Sequence, residues 1–404
     1  MSLPAVLLRG PGWRLPAPLE LRDPLEVRSV APDRPGDLPE LLAWLDGVAA
    51  SGRSERVAAG FLTYEAGVAL EGSRELVRPP ATPLAWFALF DASSTRDQGS
   101  LESRRDDRFH RDTGRSVSAG GSVTRPADDM DLAEWTAAVA AIREGIARGD
   151  VYQANLTRRT ARELRIPPRR LADLLWKDNP VPFAICLETG RQAVVSNSPE
   201  LFLDVDLHSG RVASKPIKGT VPRLVDGSEQ RACDALLASE KDGAEHLMIV
   251  DLIRNDLGRV CEPGSVHVPT FRAVRSFRHL HHLESTVAGT LRAQTRLSEL
   301  LVAALPGGSI TGAPKRAALG FIRRLEPVAR GPYTGAAGFV RGDGKAVFNV
   351  AIRTALVEGG MVSYHSGGGI VWDSDPLLEW EETETKSREF FRALASAARE
   401  SEVP

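Results

Sequence analysis

The stretch QAVVSNSPELFLDVDLHSGRVASKPIKGTV, residues 192–221, decides the fold class because it predicts successive hairpin-like strands. Apolar and polar residues alternate in residues 192–207 and again in residues 211–221, which is the period of a half-buried strand. A short polar turn separates these two segments. Neighbouring strands joined by short turns pair antiparallel, whereas parallel strands need a longer crossover. The stretch therefore predicts a mainly antiparallel sheet.

Helical segments are set between further strand-like runs on both sides of this stretch. Apolar residues recur every three or four positions from Leu132 onward, Asp131 is placed to cap this helix, and Gly149 is placed to end it. A second helix is predicted over residues 243–258 and a last helix from Pro376. Hairpin-like strands with intervening helices predict an α+β fold.

Composition divides the chain into three parts. Residues 1–92 mix short apolar runs with Pro and Gly breaks and are expected to be folded. Residues 93–129 are polar, charged and almost free of aliphatic side chains, which predicts a flexible loop or linker. Residues 130–398 carry the regular helix and strand patterns together with the motifs described below.

The bulk composition indicates a globular protein of the cytoplasm. The chain has 404 residues, of which 42% are hydrophobic and 26% charged, and a formal net charge of −2, which are ordinary values for a globular protein. This balance offers no basic stripe for nucleic acid, and no apolar run approaches the roughly 18–20 residues that a membrane span needs. The three cysteines are scattered and predict a reduced protein. We therefore expect neither nucleic acid nor a membrane as a partner.

Lysine is rare in this chain, and its positions are informative. Seven lysines stand against 44 arginines, and five of the seven fall in motif-dense stretches after residue 210. A genome rich in G and C explains the scarcity of lysine but not this clustering. A buried lysine can lose its proton and act as a nucleophile or base, whereas arginine stays charged. The five clustered lysines are therefore candidates for a catalytic amine whose pKa we expect its site to lower: Lys215, Lys218, Lys241, Lys315 and Lys386.

Two pairs of acidic residues share the three-residue spacing that places side chains on one face of a helix. Glu379 and Glu382 are followed by Lys386 on the same face, and Asp242 and Glu245 repeat the spacing earlier in the chain. Solvated helix faces with an ion pair are the simpler interpretation. If both pairs meet in a cleft, the carboxylates need a cation between them, and their oxygen atoms suit Mg²⁺.

Two glycine-containing runs and a group of histidines were tested as binding motifs, and they mainly exclude functions. The run GGSITGAPKR lacks the GK[ST] ending of a phosphate-binding loop, so the chain is not expected to be a nucleoside triphosphatase. The glycines of HSGGGIV offer backbone N–H groups to a carboxylate or phosphate, or form an ordinary turn. His279 and His281 point to the opposite side of a strand from His282. This arrangement disfavours a zinc site and leaves a single functional imidazole, or none.

The motifs taken together resemble those of the chorismate-utilising enzymes. SPELFL, PIKGT, EHLMIVDLIRNDLGRVCEPGSV, ITGAPK, AIRT, GGGIV and ETETK occur in the order typical of that family, over roughly residues 130–395. The resemblance implies a large α/β sandwich of two mainly antiparallel sheets flanked by helices, to which the N-terminal third contributes. It also implies chorismate as substrate and Mg²⁺ as cofactor.

Within this family, the lysine of PIKGT is typical of aminodeoxychorismate synthases, and anthranilate synthases typically carry alanine there. The resemblance implies that Lys218 attacks C2 of chorismate and that Glu200 is the general acid for the C4 hydroxyl. His282 matches a family histidine near the reacting carbons, and ammonia would come from a separate glutaminase subunit. By the same resemblance, the metal site comprises Asp242, Glu245, Glu379 and Glu382, and the substrate-binding positions are Gln153, Ser309, Tyr333, Arg353, Gly368, Gly369 and Lys386.

Departures from the family pattern leave alternatives open. Gln153 stands where isochorismate-forming enzymes place a basic lysine, which argues against that activity. Asp242 replaces a more usual glutamate and Ser309 a more usual threonine, and the N-terminal LLRGPGW lacks the segment linked to tryptophan feedback. The chain is expected to aminate chorismate at C4. The alternatives are anthranilate synthase component I and a catalytically silent binding subunit on the same scaffold.

Overall fold

A computed structural model describes residues 4–94, 128–163, 166–223, 229–278 and 280–400. Most of the predicted loop at residues 93–129 lies outside the described residues, and so does His279. Of the described helices, none is both long enough and apolar enough to cross a bilayer.

Helices and strands occur throughout the described chain. The helices are α1 (Leu38–Ala49), α2 (Tyr64–Leu70), α3 (Leu132–Ala147), α4 (Pro168–Asp178), α5 (Glu229–Ala238), α6 (Glu240–Gly258), α7 (Leu297–Ala304), α8 (Lys315–Leu325) and α9 (Pro376–Glu400). The strands are β1 (Ala5–Arg9), β2 (Leu19–Leu21), β3 (Glu26–Val30), β4 (Arg56–Leu62), β5 (Ala85–Asp91), β6 (Gln153–Glu163), β7 (Phe183–Glu188), β8 (Gln192–Ser198), β9 (Leu201–Asp206), β10 (Arg211–Lys215), β11 (Ile217–Pro222), β12 (His267–Ser276), β13 (Leu280–Thr290), β14 (Gly312–Ala313), β15 (Ala336–Arg341), β16 (Lys345–Val350), β17 (Thr354–Glu358) and β18 (Met361–Ile370).

The strands of the described residues form two antiparallel sheets. An eight-stranded sheet has the order β14-β6-β18-β17-β8-β7-β1-β2. A ten-stranded sheet has the order β11-β13-β10-β9-β16-β15-β4-β5-β3, with β12 also paired to β13. Helices flank the sheets, so the predicted α+β sandwich is confirmed.

The N-terminal strands are built into both sheets. Strand β1 pairs with β7 in the eight-stranded sheet, and β4 pairs with β15 in the ten-stranded sheet. The core where the sheets meet includes Trp13, Phe61, Phe183 and Phe339. Residue Trp13 is fully buried and donates its indole N–H to the carbonyl of Ala184 at 3.0 Å. The boundaries predicted at residues 92 and 130 stay predictions, although the strand pairing joins the two segments.

Local signals in the sequence explain the helices that border the sheets. In α3, Asp131 and Glu134 form a reciprocal capping box, as the helix start predicted. The side chain of Ser239 caps α6 by accepting the N–H of Asp242 at 3.2 Å. Helix α9 packs on β18, where the rings of Tyr364 and Phe390 stack at 4.2 Å.

A buried guanidinium ties several of these elements together. Arg330 is 2% exposed and pairs with Glu326 at the end of α8, with N–O distances of 2.6 and 2.8 Å. It also donates to the carbonyls of Asn155 in β6 and Ile310 after α7. The backbone N–H groups of Arg330 and Gly331 donate in turn to the Glu65 carboxylate in α2. One side chain and its neighbours therefore connect β6, α2, α8 and the turn after α7.

We predict that Arg330→Leu destabilises the fold by about 3–5 kcal/mol, because it leaves the Glu326 carboxylate buried without its cation. The free energy of unfolding, measured by urea titration, checks this value. Arg316→Leu is the matched control, since Arg316 forms an exposed ion pair with Glu75 at 3.5 Å. Its expected cost is below about 1 kcal/mol. Equal costs for the two substitutions would contradict the role assigned to the buried network.

Candidate active site

The candidate site lies where the edge of the ten-stranded sheet meets the glycine-rich end of β18. Lys218 in β11, Gln153 in β6 and Gly369 in β18 come together there. A Cβ atom added at Gly369 would lie 3.2 Å from Lys218 Nζ and 2.0 Å from Gln153 Nε2. A side chain at this position would displace the ends of the Gln153 and Lys218 side chains. The sequence-predicted residues from distant parts of the chain therefore converge on one place.

Lys218 is held by an acid from α6. Its Nζ lies 2.6 Å from Glu245 Oε2, and the lysine side chain is 24% exposed. Burial lowers the pKa of Lys218, but Glu245, Glu382 and Glu379 together outweigh this effect, and the pKa lies above its ordinary value. The prediction that the site lowers the pKa of Lys218 is therefore wrong for this structure, because acids from two helices surround the amine.

The two predicted acidic pairs face the same space from α6 and α9. Glu245 and Glu379 are both buried. Glu379 accepts the Ser374 hydroxyl at 2.7 Å, and Glu382 pairs with Lys386 at 2.6 Å. The Cγ atom of Asp242 lies 3.4 Å from the position that a Cβ at Gly219, the neighbour of Lys218, would occupy. Acids of both pairs thus lie near Lys218, a convergence that the spacing within each helix could not show.

These acids provide oxygen donors, but they do not form a ready metal cage. Among the described residues, no three acidic, histidine or cysteine side chains converge closely enough to hold one ion. Glu245 and Glu382 are instead engaged by the amines of Lys218 and Lys386. The donor chemistry fits a hard cation such as Mg²⁺, which would compete with the two lysines for these oxygen atoms.

Glu200 is the second ionisable group expected at the reaction centre. It precedes β9, is 5% exposed, and accepts the Ser309 hydroxyl at 2.9 Å. Burial raises the pKa of Glu200 to about 7, against smaller lowering effects from Ser309, the N–H of Ile217 and the charge of Lys218. A carboxylic acid with a pKa near neutrality can donate a proton at ordinary pH. Ser309, predicted to bind substrate, contacts Glu200 in this structure.

Two cations lie beside the glycines of β18. Lys386 Nζ donates to the carbonyl of Gly367 at 2.8 Å, and Arg353 Nη1 donates to the backbone carbonyl of Lys386 at 2.9 Å. Arg353 has a φ of 51°, which is uncommon for a residue with a side chain. Such backbone outliers cluster at functional sites. A Cβ at Gly368 would lie 3.2 Å from Glu379 Oε2 and 3.9 Å from Lys386 Nζ, so this glycine also belongs to the site.

The aromatic and imidazole groups nearby are kept neutral. Burial, together with the positive charge of Arg353, lowers the pKa of His282 to about 4. The ring of Tyr333 stacks on His365 at 5.2 Å, and burial lowers the pKa of His365 to about 3. Burial also raises the pKa of Tyr333. These side chains can donate or accept hydrogen bonds without adding charge.

Gln153 carries an unsatisfied polar atom. The residue is 1% exposed, and no donor among the described residues lies within hydrogen-bond distance of its Oε1. Buried polar atoms are nearly always paired in native proteins. The Gln153 oxygen therefore fits a role in accepting a hydrogen bond from a bound molecule.

Some neighbouring contacts escaped the sequence analysis. Lys315 pairs with Asp256 at 3.0 and 3.1 Å, and both residues are largely buried. His246 shares a 2.6 Å hydrogen bond with Ser285. The motifs RNDLG and GAPK were recognised, but the 59-residue separation of the Lys315–Asp256 pair gives no local signal that they meet.

The sequence of this chain is similar to that of known proteins over most of its length. The sequence model of a family described as chorismate binding enzyme matches residues 25–392. Over 272 residues the chain is 44% identical to anthranilate synthase component 1 of Streptomyces coelicolor, covering 67% of this chain and 53% of that protein. Over 269 residues it is 40% identical to aminodeoxychorismate synthase component 1 of Klebsiella aerogenes, covering 66% of this chain and 59% of that protein. The chain thus spans between half and two thirds of the length of these relatives.

The fold is also similar to that of a solved structure. The crystal structure of anthranilate synthase component I from Streptococcus pneumoniae superposes with a TM-score of 0.75 at 25% identity, covering 96% of this chain and 92% of that one. Relatives with two different names are similar to this chain to nearly the same degree. With the family match spanning most of its length, the chain belongs to the chorismate binding enzymes.

Proposed function

We propose that this protein aminates chorismate at C4 to give 4-amino-4-deoxychorismate, as the synthase component of an aminodeoxychorismate synthase. The observation that carries the proposal is the amine of Lys218 at the centre of the site, 2.6 Å from Glu245 and beside Gly369. A lysine at this position of PIKGT is the feature that resembles aminodeoxychorismate synthases rather than anthranilate synthases.

The proposed reaction has two displacements. Lys218 Nζ forms a bond to C2 of chorismate, while the C4 hydroxyl takes a proton from Glu200 and leaves as water. Ammonia then bonds to C4, and the bond between C2 and Lys218 breaks. The lysine attacks only as the neutral amine, so its ion pair with Glu245 has to open and the ammonium has to release a proton to solvent first; Lys218 takes a proton back when its bond to C2 breaks. Glu200, with its pKa of about 7, is suited to supply the proton.

Other side chains would bind and orient the substrate. Arg353 and Lys386 supply positive charge for the carboxylates of chorismate, and the backbone N–H groups of Gly368 and Gly369 supply donors. Tyr333 would add a hydroxyl donor. Gln153 Oε1, unpartnered among the described residues, would accept from a bound N–H or O–H group. His282 would contact the reacting carbons as a neutral imidazole.

The acids of α6 and α9 would hold Mg²⁺. Glu245 and Glu382 are the proposed direct ligands, with Asp242 and Glu379 acting through water. When bound, the ion would neutralise a ring carboxylate of the substrate. The donor set supports this assignment, since it consists of carboxylate oxygens.

Ammonia would come from a separate glutaminase subunit. Two relatives are named as component 1 of their enzymes, which implies a second component in those proteins. Cys186 and Cys261 do not support a glutaminase nucleophile, because both are buried and burial raises the pKa of both thiols.

Anthranilate synthase component I is the second candidate. It is favoured by the 44% identity to the Streptomyces coelicolor protein of that name. In that reaction ammonia attacks C2 directly, and the same acids, glycines and arginine would serve. A silent binding subunit on the same scaffold is the third alternative, and the presence of Lys218, Glu200 and both acidic pairs argues against it.

We predict that the purified chain, given chorismate, Mg²⁺ and an ammonium salt, forms 4-amino-4-deoxychorismate. Mass spectrometry identifies the product, and an added lyase should convert it to 4-aminobenzoate. Lys218→Ala should lose this activity by about 100-fold or more, because no nucleophile remains at C2. Residual amination should shift to C2 and release anthranilate.

Lys215→Ala is the matched control, since Lys215 lies three residues away and forms a looser pair with Glu284 at 3.8 Å. It should keep the product and most of the rate. Anthranilate from the unchanged chain would support the second candidate instead. Absence of turnover together with absence of chorismate binding in the presence of Mg²⁺, measured by calorimetry, would support the silent subunit.

We predict that the contribution of Glu200 to kcat falls as pH rises through about 7, because the protonated form of Glu200 is the active one. This fall offsets the rise in kcat that deprotonation of Lys218 produces, so kcat should rise up to about pH 7 and then level off. Glu200→Gln should lose activity by about 100-fold or more and remove this dependence. Ser309→Ala should move the fall to higher pH, since the Ser309 hydrogen bond lowers the pKa of Glu200. Rate profiles from pH 5 to 9 test these expectations. A profile that is unchanged in Ser309→Ala would argue against Glu200 as the titrating acid.

We predict that Glu245→Gln and Glu382→Gln each weaken Mg²⁺ binding by at least about tenfold, because each removes a charged oxygen ligand. Isothermal titration in the presence of chorismate measures the Kd. Glu381→Gln is the control, since Glu381 is an exposed neighbour on α9. If all three variants bind Mg²⁺ like the unchanged chain, the proposed ligands are wrong.

A further inference from the structure

A buried ion pair lies behind Glu200 and has no part in the reaction as proposed above. Lys315 at the start of α8 donates to both carboxylate oxygens of Asp256 in α6, at 3.1 and 3.0 Å. Asp256 is 5% exposed, and the Lys315 side chain is 13% exposed. Burying two charges is costly and is seldom justified by stability alone. The pair therefore calls for a functional explanation.

A small cavity connects this pair to the candidate acid. It measures about 20 Å³, and both Glu200 and Asp256 line it. The hydroxyl-bearing residues Ser214 and Ser309 line it as well, among apolar neighbours. This volume is sufficient for one water molecule, which needs two to four polar partners. The cavity offers four polar residues, so it is suited to hold water rather than to stay dry.

We propose that this cavity holds water and that Asp256 and Lys315 use it to return a proton to Glu200 after each turnover. The inference rests on the acid role proposed for Glu200. Neither Asp256 nor Lys315 would touch the substrate, since both act through Glu200. The Lys315 ammonium gives one proton to Asp256, and Asp256 passes a proton across the cavity water to the Glu200 carboxylate. The partly exposed Lys315 amine then takes one proton back from solvent, so the pair returns to its starting state.

The proposed reaction takes one proton from Glu200 in each turnover, so Glu200 needs a source of protons. Nitrogen enters as neutral ammonia and leaves as an ammonium group on C4, while the C4 hydroxyl leaves as water. One proton is therefore consumed in each turnover, and Glu200 ends as a carboxylate. With substrate or product filling the cleft, a path from the interior can recharge Glu200 without waiting for release.

The charges around the two carboxyl groups are compatible with transfer between them. Burial raises the pKa of Asp256 to about 6, against the lowering effects of Lys315 and Arg259. Glu200, which faces Ser309, the N–H of Ile217, Lys218 and Glu284, has a pKa of about 7. Because burial raises the pKa of both carboxyl groups, a proton can reside on either of them near neutral pH.

The test compares Asp256→Asn with Asp251→Asn, which alters an exposed ion pair with Arg254 on the same helix. Initial rates are followed as chorismate consumption, so that either product is detected. Asp256→Asn should lower kcat about 10- to 100-fold, within the range of general acid–base effects, and leave KM for chorismate unchanged. Its solvent isotope effect on kcat should rise, and added imidazole buffer should restore part of the rate. Asp251→Asn should behave like the unchanged chain.

A second variant tests the relay even if Asp256→Asn does not fold. Gly307 lines the cavity, and a Cβ there would meet Ile310 and Phe202 at 3.6 Å, an ordinary contact. Gly307→Ala should fold normally, displace the water and reproduce the loss of kcat with the larger isotope effect.

Two results would overturn the relay. One is an unchanged kcat and isotope effect in Gly307→Ala. The other is a folded Asp256→Asn variant whose rate does not respond to buffer. Glu200→Gln is measured alongside to separate the two proposals. If Glu200→Gln keeps full activity, the acid role itself fails; if only Glu200→Gln is impaired, the relay alone fails.

Discussion

The buried guanidinium of Arg330 is the contact on which the geometry of the site depends. It satisfies the carbonyls of Asn155 and Ile310 and the carboxylate of Glu326, while its own backbone N–H donates to Glu65. A charge removed from water needs this complete set of partners, and losing one of them is costly. The consequence for the site is direct. Arg330 lies three residues before Tyr333, and Ile310 follows Ser309, so the same network that closes the core also fixes the tyrosine and the serine beside Glu200.

The site itself is organised by the placement of opposite charges on different elements. Acids extend from α6 and α9, and amines extend from β11 and from α9 itself. Each lysine holds one acid in this structure: Lys218 holds Glu245 and Lys386 holds Glu382. Glu200 is also buried and senses the charge of Lys218, and burial raises its pKa. One scaffold thereby places some carboxylates beside amines, where a cation could compete for them, and buries another carboxyl whose raised pKa suits it to act as an acid.

Features that depend on local sequence were predictable, and features that depend on distant partners were not. The helix beginning after Asp131 was expected from its cap and its apolar spacing, and the structure places it at Leu132–Ala147. Lys218 and Gly369 lie 151 positions apart in strands of different sheets, so their convergence depends on how the two sheets meet, and the expectation came only from the motif order of a family. The pKa of Lys218 was predicted in the wrong direction, because the sequence does not show that acids from two helices face one amine. The Lys315–Asp256 pair gave no signal, since neither residue differs from an ordinary surface charge until α6 and α8 are packed.

Relatives named for two different activities are similar to this chain to nearly the same degree. The shared parts of the proposed site explain this. In the proposed chemistry, binding the carboxylates, holding a cation and donating a proton would use Arg353, the glycines of β18, the four acids and Glu200, and both candidate reactions would share these groups. The choice between C2 and C4 as the final position of nitrogen depends, in the proposed chemistry, on whether a side-chain amine occupies C2 before ammonia does. Overall identity averages over hundreds of positions and is insensitive to a single amine. The decisive evidence for the reaction therefore has to come from the product and from Lys218, and further resemblance of the scaffold would add little.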